Sequence, residues 1–155
     1  MDYVARYATT RAKARAYLER KLGERGWGGE EAPGIEAIVA RLASSGFVDD
    51  RAFAAARSAS LGRRGYGAHR VGAALRAAGI AADDAAPALE DAAESAWNAA
   101  EAFAERRKIG PFSAENSDPE QRRKALAAML RAGHPMPVAR AFVRAAPGEI
   151  PPRDD

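Results

Sequence analysis

The sequence contains no cysteine, which excludes disulfides and thiolate-held metals. Aromatic residues are only 7% of the chain and alanine dominates its apolar fraction, so thin helical cores are expected rather than one deep interior. The two histidines, His69 and His134, lie far apart. They form no cluster for zinc or nucleophilic catalysis, and both are expected to be ordinary surface or loop residues. Asp49–Asp50 and Asp83–Asp84 are sequence neighbours whose side chains diverge on a helix, so they suit helix starts rather than an acid/base pair. "GRRGYG" lacks the lysine and the strand–helix setting of a phosphate-binding loop. Enzymatic function, a metal and a cofactor are therefore not expected. No apolar run approaches a membrane span, and "MDYVARYATT" lacks the apolar core of a signal peptide. A soluble, monomeric cytoplasmic protein is the expectation.

Strand signals are also nearly absent, because β-branched residues are sparse and alternation is not sustained. Helical periodicity is clear. Ala14, Leu18 and Leu22 recur every four residues, with Tyr17 extending the face, and Ile35, Ile38, Val39 and Leu42 mark a second amphipathic helix. The glycines of "GERGWGGEEAPG" separate the two, with Pro33 suited to the first turn of the second. In "SSGFVDDRAF", Asp49 is placed to cap a third helix, flanked by Val48 and Phe53 at staple spacing. That helix is expected to run to about Leu61 and stop at Gly62. Trp27, Phe53, Trp97 and Phe142 are expected in the interior.

Three segments align on a closing glycine: "LERKLGERGW" on Gly26, "VGAALRAAGI" on Gly79 and "ALAAMLRAGH" on Gly133. Each has an apolar residue four positions earlier, at Leu22, Leu75 and Met129, as a left-handed helix stop requires of its turn. The economical reading is an all-α protein of tandem three-helix units in an elongated, curved array. The units are residues 3–62 and 63–109, a flexible connector at 110–118, a truncated third unit at 119–146 and a disordered tail at 147–155. Asp118, Pro119 and Gln121 predict a capping box at the start of the third unit.

Charge is segregated although the net charge is only +3. From Arg51 to Ala82 there are six arginines and no acid, and from Asp83 to Glu105 seven acids and no Lys or Arg. The acidic block reads as a solvated helix with Leu89, Ala93, Trp97, Ala100 and Ala104 inward. On a helix from Ala68 to Ala78, Val71, Leu75 and Ala78 share one side, while His69, Ala73 and Arg76 point the other way. A convex basic ridge is expected from Arg57, Arg63, Arg64, Arg70 and Arg76, with Arg122, Arg123 and Lys124 of the third unit extending it. Arg131, Arg140 and Arg144 add to that bias, as Arg6, Arg11 and Arg15 do at the start. Such runs serve solvation, or they contact phosphates or an acidic protein surface. Tyr66 is the only aromatic near the ridge, which weakens a base-stacking reading and leaves backbone contact open.

The residues from Tyr3 to Ala145 resemble the RecX regulatory proteins, bacterial modulators of the RecA recombinase. The resemblance is carried by "YATTRAKARAYLERKLGERGW", by "GFVDDRAFA" followed by the arginine run and "GAHRVGAALRAAGI", and by "RRKALAAMLRAGHPMPVARAFV". Ala74 and Ala78 stand where the family usually carries glutamate and lysine, and Asn98 to Asn116 matches poorly. The resemblance implies tandem three-helix repeats that bind along the groove of the RecA–DNA filament and dampen its ATPase, strand-exchange and co-protease activities. Single- or double-stranded DNA contacted directly, by helix-turn-helix-like units, is the alternative partner.

Overall fold

A computed structural model of the chain describes residues 9–26, 28–29 and 34–154. Arg6, Trp27 and Pro33 lie outside the described residues. Within them the protein has eight α-helices and no strand. These are α1 (Arg11–Arg25), α2 (Ile35–Ser44), α3 (Asp50–Arg63), α4 (Ala68–Ala77), α5 (Ala82–Glu94), α6 (Ala96–Arg107), α7 (Pro119–Arg131) and α8 (Met136–Arg144), with a 3-10 turn at Gly110–Phe112 before α7.

The anticipated start and stop signals operate. Asp49 caps α3 by accepting from the Ala52 amide at 3.0 Å. Asp118 and Gln121 form the reciprocal capping box of α7, at 2.8 and 2.9 Å. Gly26, Gly79 and Gly133 all have positive φ, at 68°, 75° and 93°. After Gly79 the Ile80 amide returns to the Leu75 carbonyl at 3.1 Å, and after Gly133 the His134 amide returns to Met129 at 3.1 Å. These are the same six-residue closure. At Gly26 the closure is one residue tighter, from the Gly26 amide to Leu22 at 2.9 Å. The third helix departs from expectation at its end. It passes through Gly62 to Arg63, and the left-handed turn falls at Gly65, φ 82°.

Two apolar cores organise the described chain. Ala54 and Leu61 of α3, Val71 and Leu75 of α4, and Ala85 and Ala88 of α5 form the first. Small residues allow α3 and α5 to approach so closely that the buried Ser58 hydroxyl donates to the Ala88 carbonyl at 3.3 Å. Phe103, Met129, Ala139 and Phe142 centre the second core, made by α6, α7 and α8, and Trp97 packs on it with its ring 4.8 Å from that of Phe142. Each fully buried large side chain contributes roughly 1.5–3 kcal/mol. Phe53 is only half-buried. The half-buried Tyr66 packs against both cores. Thus α3, assigned by sequence to the first unit, packs along α5 of the second.

Helix α1 joins this body through its first turn. The Thr10 hydroxyl accepts from the Lys13 amide and donates to the Ala78 carbonyl, both at 3.1 Å. The Arg11 amide donates to the buried Asp50 carboxylate at 3.0 Å. Asp50 therefore holds a neighbouring helix rather than only starting its own. Arg15 engages Glu36 with both of its guanidinium arms, tying α1 to α2 at the surface. The hydrogen bond from Arg15 holds the Glu36 carboxyl below its ordinary range.

Four expectations are corrected. The acidic block is two helices broken at Ser95; in the first of them Ala85 and Ala88 turn inward and Ala93 is exposed. The connector begins as packed structure: Gly110 and Pro111 are buried, and a Cβ on Gly110 would lie 1.8 Å from the Phe142 carbonyl oxygen. The tail is seated, with the Gly148 amide on the Pro111 carbonyl at 2.8 Å and Arg153 on Asn98. His134 is a core residue, 1% exposed, with its ring 5.2 Å from that of Phe103. All but the first arise from contacts distant in sequence, which local polarity does not encode.

Candidate basic cleft

The α4 N-terminus carries backbone amides without partners inside their own helix. Here the C-terminal turn of α7 supplies them: the Gly67 amide donates to the Ala132 carbonyl at 2.8 Å, and the His69 amide to Gly133 at 3.1 Å. The positive end of one helix thus meets the negative end of another. The approach needs glycine on both sides. A Cβ on Gly67 would lie 2.4 Å from the Gly133 oxygen, and one on Gly133 would lie 2.3 Å from the Arg70 nitrogen.

This junction brings Arg131 to the side of Arg64 and Arg70. With Arg106 and Arg107 they line a cleft of about 420 Å3, together with Tyr66, Phe103, Ala128 and Ala132. No acid lines it, and among the described residues none of the five arginines pairs with a carboxylate. Their guanidinium groups are ordered by other means. Those of Arg64 and Arg70 lie 5.2 and 4.9 Å from the Tyr66 ring centre, and that of Arg107 lies 5.4 Å from Phe103. Arg106 donates to the Arg64 and Arg63 carbonyls at 2.6 and 3.3 Å. It thereby closes α3 while keeping its charge at the cleft. Beneath, the His134 ring nitrogens lack partners of good hydrogen-bonding geometry. Burial pushes its pKa down to about 4, against a smaller opposing pull from the Gly65 backbone.

The convex ridge is thus concave where Arg64 and Arg70 stand. Arg122 and Lys124 line an adjoining cleft of about 480 Å3 that shares Arg107 and Ala128 with the first. Arg123 lies near Glu120 at 4.0 Å, as does Lys124 at 3.6 Å. The other three anticipated residues go elsewhere. Arg63 faces a separate cleft with Asp91 and Asn98, and Arg57 faces one with Phe47 and Phe53. Arg76 is exposed and lies over Gly72. Among the described residues no group of His, Asp and Glu could hold a metal ion, and no helix is long and apolar enough to cross a membrane.

No protein-family profile matches the chain. "Regulatory protein RecX" of Myxococcus xanthus (strain DK1622) is 31% identical to it over 158 residues, covering 95% of this chain and 83% of that protein. The chain belongs to the RecX family. A crystal structure of a regulatory protein RecX superposes with a TM-score of 0.62 at 21% identity, covering 91% of this chain and 66% of that one. That likeness supports the all-helical fold, and the chain spans just under two thirds of the solved protein. In this RecX-family regulator Ala74 and Ala78 are half-buried and pack against the first core. Arg106 and Arg107, in the last turn of α6, are not among the residues expected from the sequence, because they follow an acidic block. The signal was "RRK" at a helix C-terminus, where cations are favoured.

Proposed function

We propose that this protein is a non-catalytic regulator that binds the RecA–DNA filament and dampens its ATPase, strand-exchange and co-protease activities. Membership of the RecX family supports the regulatory role. The observation that carries the contact is the acid-free cleft, where five arginines converge from three chain segments. An array of this kind suits a repetitive anionic partner better than a small neutral substrate. Helical units in series belong to the proposal, with α3 to α5 around the first core and α6 to α8 around the second instead of a division at Gly62 and at the connector; the matching closures at Gly79 and Gly133 support it. Binding across neighbouring filament subunits opposes the conformational cycling that ATP turnover needs. The protein works in the cytoplasm as a monomer, without metal or cofactor.

The test is a titration into the RecA ATPase on single-stranded DNA, using wild type, Arg64→Ala and Arg70→Ala. Inhibition by wild type, weakened in both variants with helical content unchanged, is expected. Full inhibition by both variants at moderate salt removes the cleft from the mechanism, and none by wild type removes the function. Direct DNA binding is separated by a salt series on bare DNA against filaments, because counterion release alone gives a steep slope with no need for RecA.

A further inference from the structure

We propose that the cleft between Arg64 and Arg131 is a binding site for chained phosphoryl groups, either free polyphosphate, as in a nucleoside triphosphate, or consecutive phosphates of a nucleic-acid strand. The proposal deepens the functional reading of the same face and rests on it for location only.

Uncompensated charge comes first. Arg64 at the cap of α3, Arg106 and Arg107 in the last turn of α6 and Arg131 in that of α7 complement the negative ends of those helices. A helix end carries only about half a negative charge, whereas five guanidinium groups share this cleft and no carboxylate lines it. Each guanidinium carries five N–H donors, and among the described residues Arg106 alone of the five places its donors on backbone carbonyls. Donors therefore greatly outnumber the acceptors offered by the protein. A phosphoryl group supplies several acceptor oxygens on one centre and matches the planar fork two bonds at a time. A carboxylate supplies two, so satisfying the cleft from a protein surface would require several carboxylates in one small space.

The aromatic residues select between parts of a nucleotide. Tyr66 has guanidinium groups 5.2 and 4.9 Å from its centre, and Phe103 has one at 5.4 Å. Stacking orders those cations and leaves their edge N–H donors directed outward. A cation over each ring competes with a base for the same aromatic surface. Recognition is of phosphate and not of base identity, which distinguishes this site from a stacking platform.

Continuity sets the ligand's shape. Arg107 lines both this cleft and the adjoining one with Lys108, Arg122 and Lys124. There Glu115 is part of the lining and Glu120 lies 3.6 Å from Lys124, so the positive field weakens along the track. A linear ligand seats most strongly at the five-arginine end. A volume of about 420 Å3 is within the usual range for small-ligand sites.

The experiment is calorimetry on the full chain at low salt, with tripolyphosphate and oligothymidylate as probes. Variants Arg107→Gln and Arg131→Gln are compared with Arg41→Gln, which removes an equal charge from α2. Expected is saturable binding that weakens roughly tenfold or more in each cleft variant, the scale of one lost charge-assisted contact, and not in Arg41→Gln. Both probes binding in competition means that both sources use the site. Oligothymidylate alone assigns it to a strand, and tripolyphosphate alone to a free anion. Binding of neither probe, or equal weakening by Arg41→Gln, overturns the proposal. RecA inhibition is read on the same samples. Anion binding without inhibition sinks the functional reading and leaves this one standing; inhibition without anion binding does the reverse.

Discussion

Gly67 and Gly133 meet backbone to backbone: a side-chain carbon on Gly67 would sit 2.4 Å from the Gly133 carbonyl oxygen. That contact seats the start of α4 on the end of α7 and sets Arg70 beside Arg131. The arginine cleft therefore depends on two residues that carry no charge.

Replacing either glycine by alanine should open the junction. Gly133→Ala combines a clash with φ of 93°, and a loss of about 2–4 kcal/mol is expected from overpacking and backbone strain together. Gly67→Ala, at negative φ, should lose less. Gly62→Ala, with nothing within 4 Å of its added carbon in helix α3, should gain about 0.5–1 kcal/mol. Denaturant unfolding of the three variants checks the order. Equal stability of Gly133→Ala and wild type would contradict the close approach.

His134 makes the fold acid-sensitive. Its folded pKa is about 4, lowered by burial, against about 6.5 in an unfolded chain. Below pH 6.5 the unfolded chain binds the proton and the folded one does not, so stability is full above that value and falls as pH drops toward 4. The loss is on the order of 3 kcal/mol at its limit. His134→Leu, which removes the buried imidazole, should flatten the slope between pH 6.5 and 5. Melting curves across that range decide it, and an unchanged slope in the variant rejects the assignment.

Arg106 is a structural clamp as well as a cleft cation. Arg106→Met loses both bonds to the Arg63 and Arg64 carbonyls and should lower stability by about 1 kcal/mol. Arg106→Lys keeps the charge and at most one bond, so it should recover anion affinity better than stability. Thermal shift with calorimetry on the same samples separates the two roles.

Asp50 should prove costly to remove for a reason its own helix does not explain. Its carboxylate accepts from the Arg11 amide across 39 residues of chain. Asp50→Ala leaves that amide without its partner, at about 1–2 kcal/mol, whereas Asp50→Asn retains an acceptor oxygen and should lose less. Amide hydrogen exchange at Arg11, faster in the alanine variant, locates the effect.

Which features could be read in advance follows from the range of the interactions. Helix starts at Asp49 and Asp118, the stops at Gly26, Gly79 and Gly133, and the inward stripe of Val71 and Leu75 rest on residues within one or two turns of one another, so the sequence by itself determined them. The burial of His134, the packed Gly110 and the seated tail depend on partners far along the chain. The cleft follows the same division. Arginine-rich stretches were visible, but joining Arg64 and Arg70 to Arg106, Arg107 and Arg131, while sending Arg57 and Arg63 elsewhere, required the α4–α7 junction. Only tertiary structure decided that grouping, because a helical pattern states which face a residue takes and says nothing of which other face it will meet.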